Sequence, residues 1–265
     1  MWIDTHCHLD AAEFDGDAAG VASRAGQQGV SMIVIPAIAV DNFDAVRRLA
    51  AENPNCSYAL GIHPIFVPQA KEDDLAELRN AVEAAMNDSR LVAIGEIGLD
   101  FFLPQLTRSP LREKQEHFYS EQLKIARDFD LPVLLHVRRS QDVVLKYLRR
   151  IAVRGGIAHA FNGSFQQAEE FIRRGFKLGF GGAMTFTRAL QIRRLATDLP
   201  EEALVLETDA PDISPAWLHP ARNSPEQLPA IGRVLAELRG ADEQHIAGVT
   251  ARNAHAVLPR LSVIS

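Results

Sequence analysis

His6-Cys7-His8 directly follows the short strand-like opening Trp2-Ile3-Asp4-Thr5. Side chains alternate faces along an extended segment, so His6 and His8 point one way and Cys7 the other. Two imidazoles at that spacing suit a single metal ion, whereas Cys7 reads as a small buried residue. A polar donor at the end of an apolar run recurs along the chain. Gly61-Ile62-His63-Pro64 follows one such run, Glu96 follows Leu91–Ile94, His136 follows Val133–Leu135 and His159 follows Gly156–Ala158. Glu207-Thr208-Asp209 follows Leu204–Leu206. A carboxylate such as Glu96 beside an aliphatic run is costly to bury unless it is paired or bound to metal. One histidine in such a place is usually a hydrogen-bonded core residue, but several in equivalent places favour ligation.

His6, His8, His136, His159, Glu96 and Asp209 exceed the needs of one tetrahedral or octahedral site. They suit two divalent ions bridged by a carboxylate and a hydroxide. Strand adjacency groups His6, His8 and Asp209 together, and His136 with His159, leaving Glu96 to reach between them. Mixed nitrogen and oxygen donors suit Zn²⁺, Mn²⁺, Co²⁺ or Ni²⁺ better than a pure Mg²⁺ site, which prefers oxygen, although Mg²⁺ stays among the candidate ions. Two divalent ions, less two carboxylates and a hydroxide, leave roughly +1 when the histidines are neutral, which invites an anionic phosphate.

The elements that would position these groups are eight short strands. They are expected at Trp2–Thr5, Met32–Ile35, Tyr58–Leu60, Leu91–Ile94, Val133–Leu135, Gly156–Ala158, Lys177–Gly179 and Leu204–Leu206. Helical periodicity fills the intervals, as at Asn42–Glu52, Gln115–Phe129 and Pro225–Arg239, where Leu228, Ile231, Val234, Leu235 and Leu238 form one stripe. A last helix is expected at Asp242–Leu258. Alternating strands and helices give a parallel sheet, and eight repeats point to a (β/α)₈ TIM barrel, a single domain over residues 1–265. Catalytic groups in that fold stand at the C-terminal strand ends, where all the donors above fall. Phe101–Pro110 and Asp212–Pro225 are the longest irregular stretches and are expected to be active-site loops.

Composition is that of an ordinary globular chain, 47% hydrophobic and 23% charged. Two cysteines are too few for a disulfide framework, and no basic leader or apolar span of membrane length occurs, so a cytoplasmic protein with no membrane partner is expected. A monomer is the simplest expectation. The net charge of −6 lacks the basic footprint of a general duplex binder, so a nucleic-acid substrate would be drawn in by local charge.

Several segments together resemble the TatD family of metal-dependent deoxyribonucleases, among the amidohydrolase-like barrels. They are Ile3-Asp4-Thr5-His6-Cys7-His8-Leu9, Gly61-Ile62-His63-Pro64, Gly95-Glu96-Ile97-Gly98-Leu99-Asp100, Leu131-Pro132-Val133 through His136, His159 with Phe161 and Gly163, and Glu207-Thr208-Asp209-Ala210-Pro211. Gln115, Phe118 and Gln122-Leu123 are similar as well. His136-Val137-Arg138-Arg139 and Gly181-Gly182-Ala183-Met184-Thr185 look most like the YjjV-type branch. Val137, Ala160 and the Val257-Leu258 ending depart from the common family pattern, but no ligand position is lost.

The resemblance implies a deoxyribonuclease of 3′→5′ exonuclease type, acting on single-stranded DNA or 3′ ends through a metal-bound hydroxide at two divalent ions. It implies His6, His8, Glu96, His136, His159 and Asp209 as metal ligands. Asp209, Glu96 and His63 would be catalytic, with His63 touching the substrate phosphate or a water. Glu207 would orient ligand histidines from behind. Arg138, Asn162 and Arg222, on loops after strands, are candidates to hold substrate, although each could equally be a surface salt bridge or loop cap. Asp100 and Arg188 are read the same way, and no role is expected for His117, His219, His245 or His255. The alternatives are a hydrolase of a small phosphoester, lactone or amide on the same scaffold, and a non-catalytic metal-binding barrel.

Overall fold

The computed structural model describes residues 1–261. Eight parallel strands neighbour one another in chain order: β1 (Trp2–Asp4), β2 (Val30–Pro36), β3 (Cys56–Leu60), β4 (Leu91–Asp100), β5 (Val133–Arg138), β6 (Gly156–Ala158), β7 (Phe176–Phe180) and β8 (Leu204–Leu206). Parallel neighbours need a crossover, and a helix supplies each one. These are α1 (Ala18–Gln27), α2 (Phe43–Glu52), α3 (Asp73–Ala85), α4 (Leu111–Asp128), α5 (Gln141–Leu148), α6 (Phe165–Arg173) and α7 (Leu190–Asp198). After β8 come α8 (Leu228–Arg239) and α9 (Glu243–Val257). The sheet closes just past β1, where Thr5 N–H donates to Leu206 O at 3.1 Å and Asp209 N–H to His6 O at 2.9 Å. The result is the (β/α)₈ barrel rather than an open sheet with two edges.

Five strands run further than the apolar pattern indicates, β2, β3 and β7 by up to three residues and β4 and β5 well past their expected C-terminal ends. β4 reaches Asp100 and β5 reaches Arg138, so Glu96 and His136 stand inside strands. The pattern stops at Ile94 because Gly95 and Gly98 interrupt it. Those glycines bring β4 close to β5: a Cβ on Gly95 would press into Leu134, and one on Gly98 (φ +146°) would run into the His136 carbonyl. The eighth crossover helix begins at Leu228 rather than Pro225, because Pro225–Gln227 forms a 3₁₀ turn capped by the Ser224 hydroxyl. The fourth begins at Leu111, ahead of Gln115.

Apolar side chains from seven strands, among them Ile3, Val34, Val92, Leu134, Ile157 and Val205, form one cluster inside the barrel. Val257, Leu258 and Leu261, at and just past the end of α9, join the same cluster and close the end away from the histidines. A larger cluster packs between strands and helices. Among the described residues no helix is long and apolar enough to cross a membrane.

Gly232 of α8 shows how closely that outer shell packs, since a Cβ there would run into the buried Trp2 ring. Alanine favours a helix by about 1 kcal/mol over glycine, but overpacking costs about 1–3 kcal/mol. Gly232→Ala is therefore expected to lower stability in urea unfolding by about 1 kcal/mol. Unchanged or raised stability would show the β1–α8 contact to be slack.

Candidate metal centre

Glu96 is 1% exposed and sits at the middle of the barrel mouth. Its Oε2 lies 3.1 Å from His6 Nε2 and 3.3 Å from His8 Nε2. Its Oε1 lies 2.9 Å from His136 Nδ1, 2.9 Å from His159 Nε2 and 3.2 Å from His63 Nε2. Asp209 Oδ1 stands 3.6 Å from His6 Nε2 and 3.8 Å from His8 Nε2. Three triplets have donor atoms within 4.8 Å of one another: His6, His8 and Asp209; His6, Glu96 and His159; His63, Glu96 and His136.

These spacings fit divalent ions. Nitrogens about 2.0–2.1 Å from a tetrahedral metal stand about 3.3 Å from each other, and His6 and His8 Nε2 are 3.2 Å apart. Imidazoles mixed with carboxylates are the donor chemistry of Zn²⁺ and Mn²⁺. The grouping differs from strand adjacency in one respect. His159 stacks on His6, with ring centroids 3.9 Å apart and planes 11° apart, while His63 stands beside His136.

The electrostatics follow from burial and neighbours. Burial alone would protonate Glu96, but the imidazoles around it, among them His63, His159, His6 and His136, hold it well below the usual carboxylate range, and of these His159 is itself raised and so carries charge. Burial also disfavours charge on the rings: it pushes His63 down to about 4 and, with His159, His6 well below its ordinary value. At His8 the hydrogen bond and charge of Glu96 outweigh burial and raise the ring to about 9. Burial lifts Asp209 to about 6, opposed by His159 and His8. Metal binding to such a cluster displaces its protons.

His63 differs from the other rings in its hydrogen bonding. Ile65 N–H donates to His63 Nδ1 at 3.1 Å, which puts the ring proton of the neutral form on Nε2. A protonated Nε2 donates to an oxygen and cannot ligate a metal. His63 is therefore built as a hydrogen-bond donor aimed into the mouth.

A set of buried polar side chains holds the loops that carry these groups. Asp4 Oδ1 accepts Thr208 N–H at 2.9 Å and Oδ2 accepts the Thr208 hydroxyl at 2.6 Å, pinning the exit of β1 to that of β8. Burial pushes the Asp4 carboxyl up to about 8 against those bonds. Asp100, fully buried, faces His136 Nε2 at 3.1 Å and accepts the amides of Phe102 and Leu103 at 2.8 and 3.0 Å. Gln122 of α4 bonds both the amide and the carbonyl of Ile62, next to His63. Gln115, two turns earlier on the same face, bonds the Asp100 amide. Asn223 donates to the carbonyls of Thr208 at 2.8 Å and Asp212 at 2.9 Å, which fixes the loop after β8. Sequence reasoning gave Asp4 and Asn223 no role and read Asp100 as a candidate substrate contact or else a surface salt bridge or loop cap; it caps the loop amides, but from a buried position beside His136. Asp100 was findable, because it lies an even number of strand residues from Glu96 and so shares its face.

The other candidates are scattered. Glu207 accepts Ala160 N–H, and its Oε1 is 3.7 Å from His159 Nδ1. Arg138 lies over the Phe102 ring with its guanidinium 3.9 Å from Asp100. Asn162 is exposed, with its carbonyl accepting from Gln141. Arg222 bonds the Glu13 carbonyl at 2.6 Å and covers Phe14. It also lines a groove of about 640 Å³ with Phe186, Pro211, Ile213 and His219. His219, for which no role was expected, thus lines a groove with residues of the loop after β8.

A closed parallel barrel whose mouth gathers histidines around a buried glutamate has the architecture of a metal-dependent hydrolase. Residues 3–259 match the family described as "TatD related DNase". A relative in Escherichia coli K12, "Uncharacterized metal-dependent hydrolase YjjV", is 40% identical over 96% of each chain. The crystal structure of that YjjV, a TatD homologue, superposes with a TM-score of 0.91 at 39% identity, covering 97% of this chain and 98% of that one. The "3'-5' ssDNA/RNA exonuclease TatD" of Cronobacter sakazakii is 32% identical over 95% of each chain. The chain belongs to the TatD family and is a metal-dependent hydrolase.

Gly179 of β7 leaves room for Glu207, since a Cβ there would run into the Glu207 carboxylate. Displacing the groups behind ligating histidines typically costs 10–100-fold in metal affinity. Gly179→Ala is expected to weaken divalent-ion binding by about that much in a competition titration. Wild-type affinity in this variant would show that the place of Glu207 does not matter.

Proposed function

We propose that this chain hydrolyses DNA phosphodiester bonds from the 3′ end at a centre of two divalent ions held by His6, His8, Glu96, His136, His159 and Asp209. The carrying observation is that Glu96 turns one oxygen to His6 and His8 and the other to His136 and His159, the disposition of a bridging carboxylate. Bound ions there would supply Lewis-acid polarisation of a phosphoryl oxygen and a more acidic water. Asp209, whose side chain is 13% exposed, is the acid open to the mouth. It takes the proton of the attacking water and delivers it to the leaving oxygen. The Nε2–H of His63 donates to a non-bridging phosphate oxygen. Glu207 and Asp100 hold His159 and His136 in place.

The exonuclease name of the Cronobacter relative supports a nucleic-acid substrate. Cys7 and Cys56, both free and buried, accord with a reducing cytoplasm.

The test is metal-stripped protein with a 5′-labelled single-stranded oligonucleotide, with Mg²⁺, Mn²⁺ or Zn²⁺ added back. A ladder of shortened products only with metal is expected. Glu96→Ala should lose bound ions and cleavage, and Asp209→Asn should keep the fold while kcat falls by about 10²–10⁴-fold. No cleavage by protein that binds two ions per chain would discard the nucleic acid and turn the search to small esters and amides.

A further inference from the structure

Just outside the centre, the loops after β4 and β5 bring an exposed ring and two arginines together. Phe102 is 42% exposed, and the guanidinium carbons of Arg138 and Arg139 lie 3.8 and 4.8 Å from its ring centroid. Successive side chains normally leave a strand on opposite faces. Arg139 breaks that alternation with a φ of +56°, in the left-handed region that non-glycine residues rarely adopt. Both cations therefore gather over one ring.

Neither charge is neutralised closely. Arg138 has Asp100 at 3.9 Å, and Arg139 makes no ion pair among the described residues. On a chain of net charge −6, this is local positive potential at the mouth. Asp100 connects it to the centre, because the same carboxylate oxygen is 3.1 Å from His136 Nε2. On the loop after β3 a second exposed ring, Phe66, is 39% exposed with its centroid 6.2 Å from that of His63.

We propose that Phe102, Arg138 and Arg139 form a platform that holds single-stranded nucleic acid beside the scissile phosphate. A base stacks on Phe102, and the adjoining phosphates pair with the arginines. The proposal rests on the phosphodiesterase reading above. Every base offers a flat π-face to an aromatic ring, and guanidinium groups match phosphate in both charge and fork geometry. A paired duplex has its base faces covered, so the platform selects unpaired strands.

The experiment uses metal-stripped protein, in which no cleavage competes, titrated against a short fluorescein-labelled oligothymidylate and read by anisotropy. Phe102→Ala and Arg139→Ala are each expected to weaken binding about tenfold. Phe102→Trp should bind at least as tightly as the wild type, which a purely structural role would not produce. Arg139→Ala should also reduce the slope of log Kd against log salt by about 0.7. Thermal melting verifies that each variant folds. Wild-type affinity and salt slope in Arg139→Ala, or wild-type affinity in Phe102→Ala, overturns the platform. So does a wild-type chain that binds duplex as tightly as single strand. Cleavage reports separately: metal-dependent shortening with undiminished binding by the variants keeps the phosphodiesterase and removes the platform. Platform-dependent binding without any metal-dependent cleavage does the reverse.

Discussion

A carboxylate with 1% of its surface in water must be answered by positive charge or it will not stay ionised. Glu96 sets that condition at the mouth of this barrel. Five imidazole nitrogens stand within 3.3 Å of its two oxygens, and they come from β1, β3, β5 and β6 or the residues just beyond them. Each strand must therefore deliver its histidine to one small volume. The glycines of β4 meet this need, because Gly95 and Gly98 let the strand that carries Glu96 lie close to β5. So do the glutamines of α4, which spend their amides on the backbone beside His63 and at Asp100 rather than on solvent.

Much of this was legible before any coordinates. The strand count, the crossover helices and the convergence of donors at the strand ends follow from periodicity and from the geometry of parallel barrels. The lengths of β4 and β5 were not legible, because glycines and histidines inside a strand break the apolar signal that marks it. The partnership of His159 with His6 was also hidden. Strand adjacency describes neighbours around the barrel wall, whereas side chains reaching inward meet across it. His63 illustrates a third limit. Its difference from the other rings rests on an amide donated by Ile65, a contact set by the turn after β3 and not by residue type.

The donors at the mouth and their supports separate by chemistry. Groups facing the mouth are the imidazoles and carboxylates spaced to hold metal ions. Groups behind them, Asp4, Asp100, Glu207 and Asn223, hold backbone amides, carbonyls and ring nitrogens in place. Their burial makes them costly to leave without partners, and that cost fixes the loops they bond. The mouth can then vary its outer loops, as at Phe102 and the groove near Arg222, without loosening the centre.

The seam between β1 and β8 has a temporal consequence. Asp4 bonds Thr208 across 204 positions of sequence, and His6 and His8 gain Asp209 only there. A chain emerging from the ribosome displays His6 and His8 long before Asp209 and cannot close the ring until β8 has been made. Until then β1 lacks its β8 partner. Assembly of the centre is thereby deferred until β8 has been made, and a chain terminated before β8 carries histidines without their Asp209 partner.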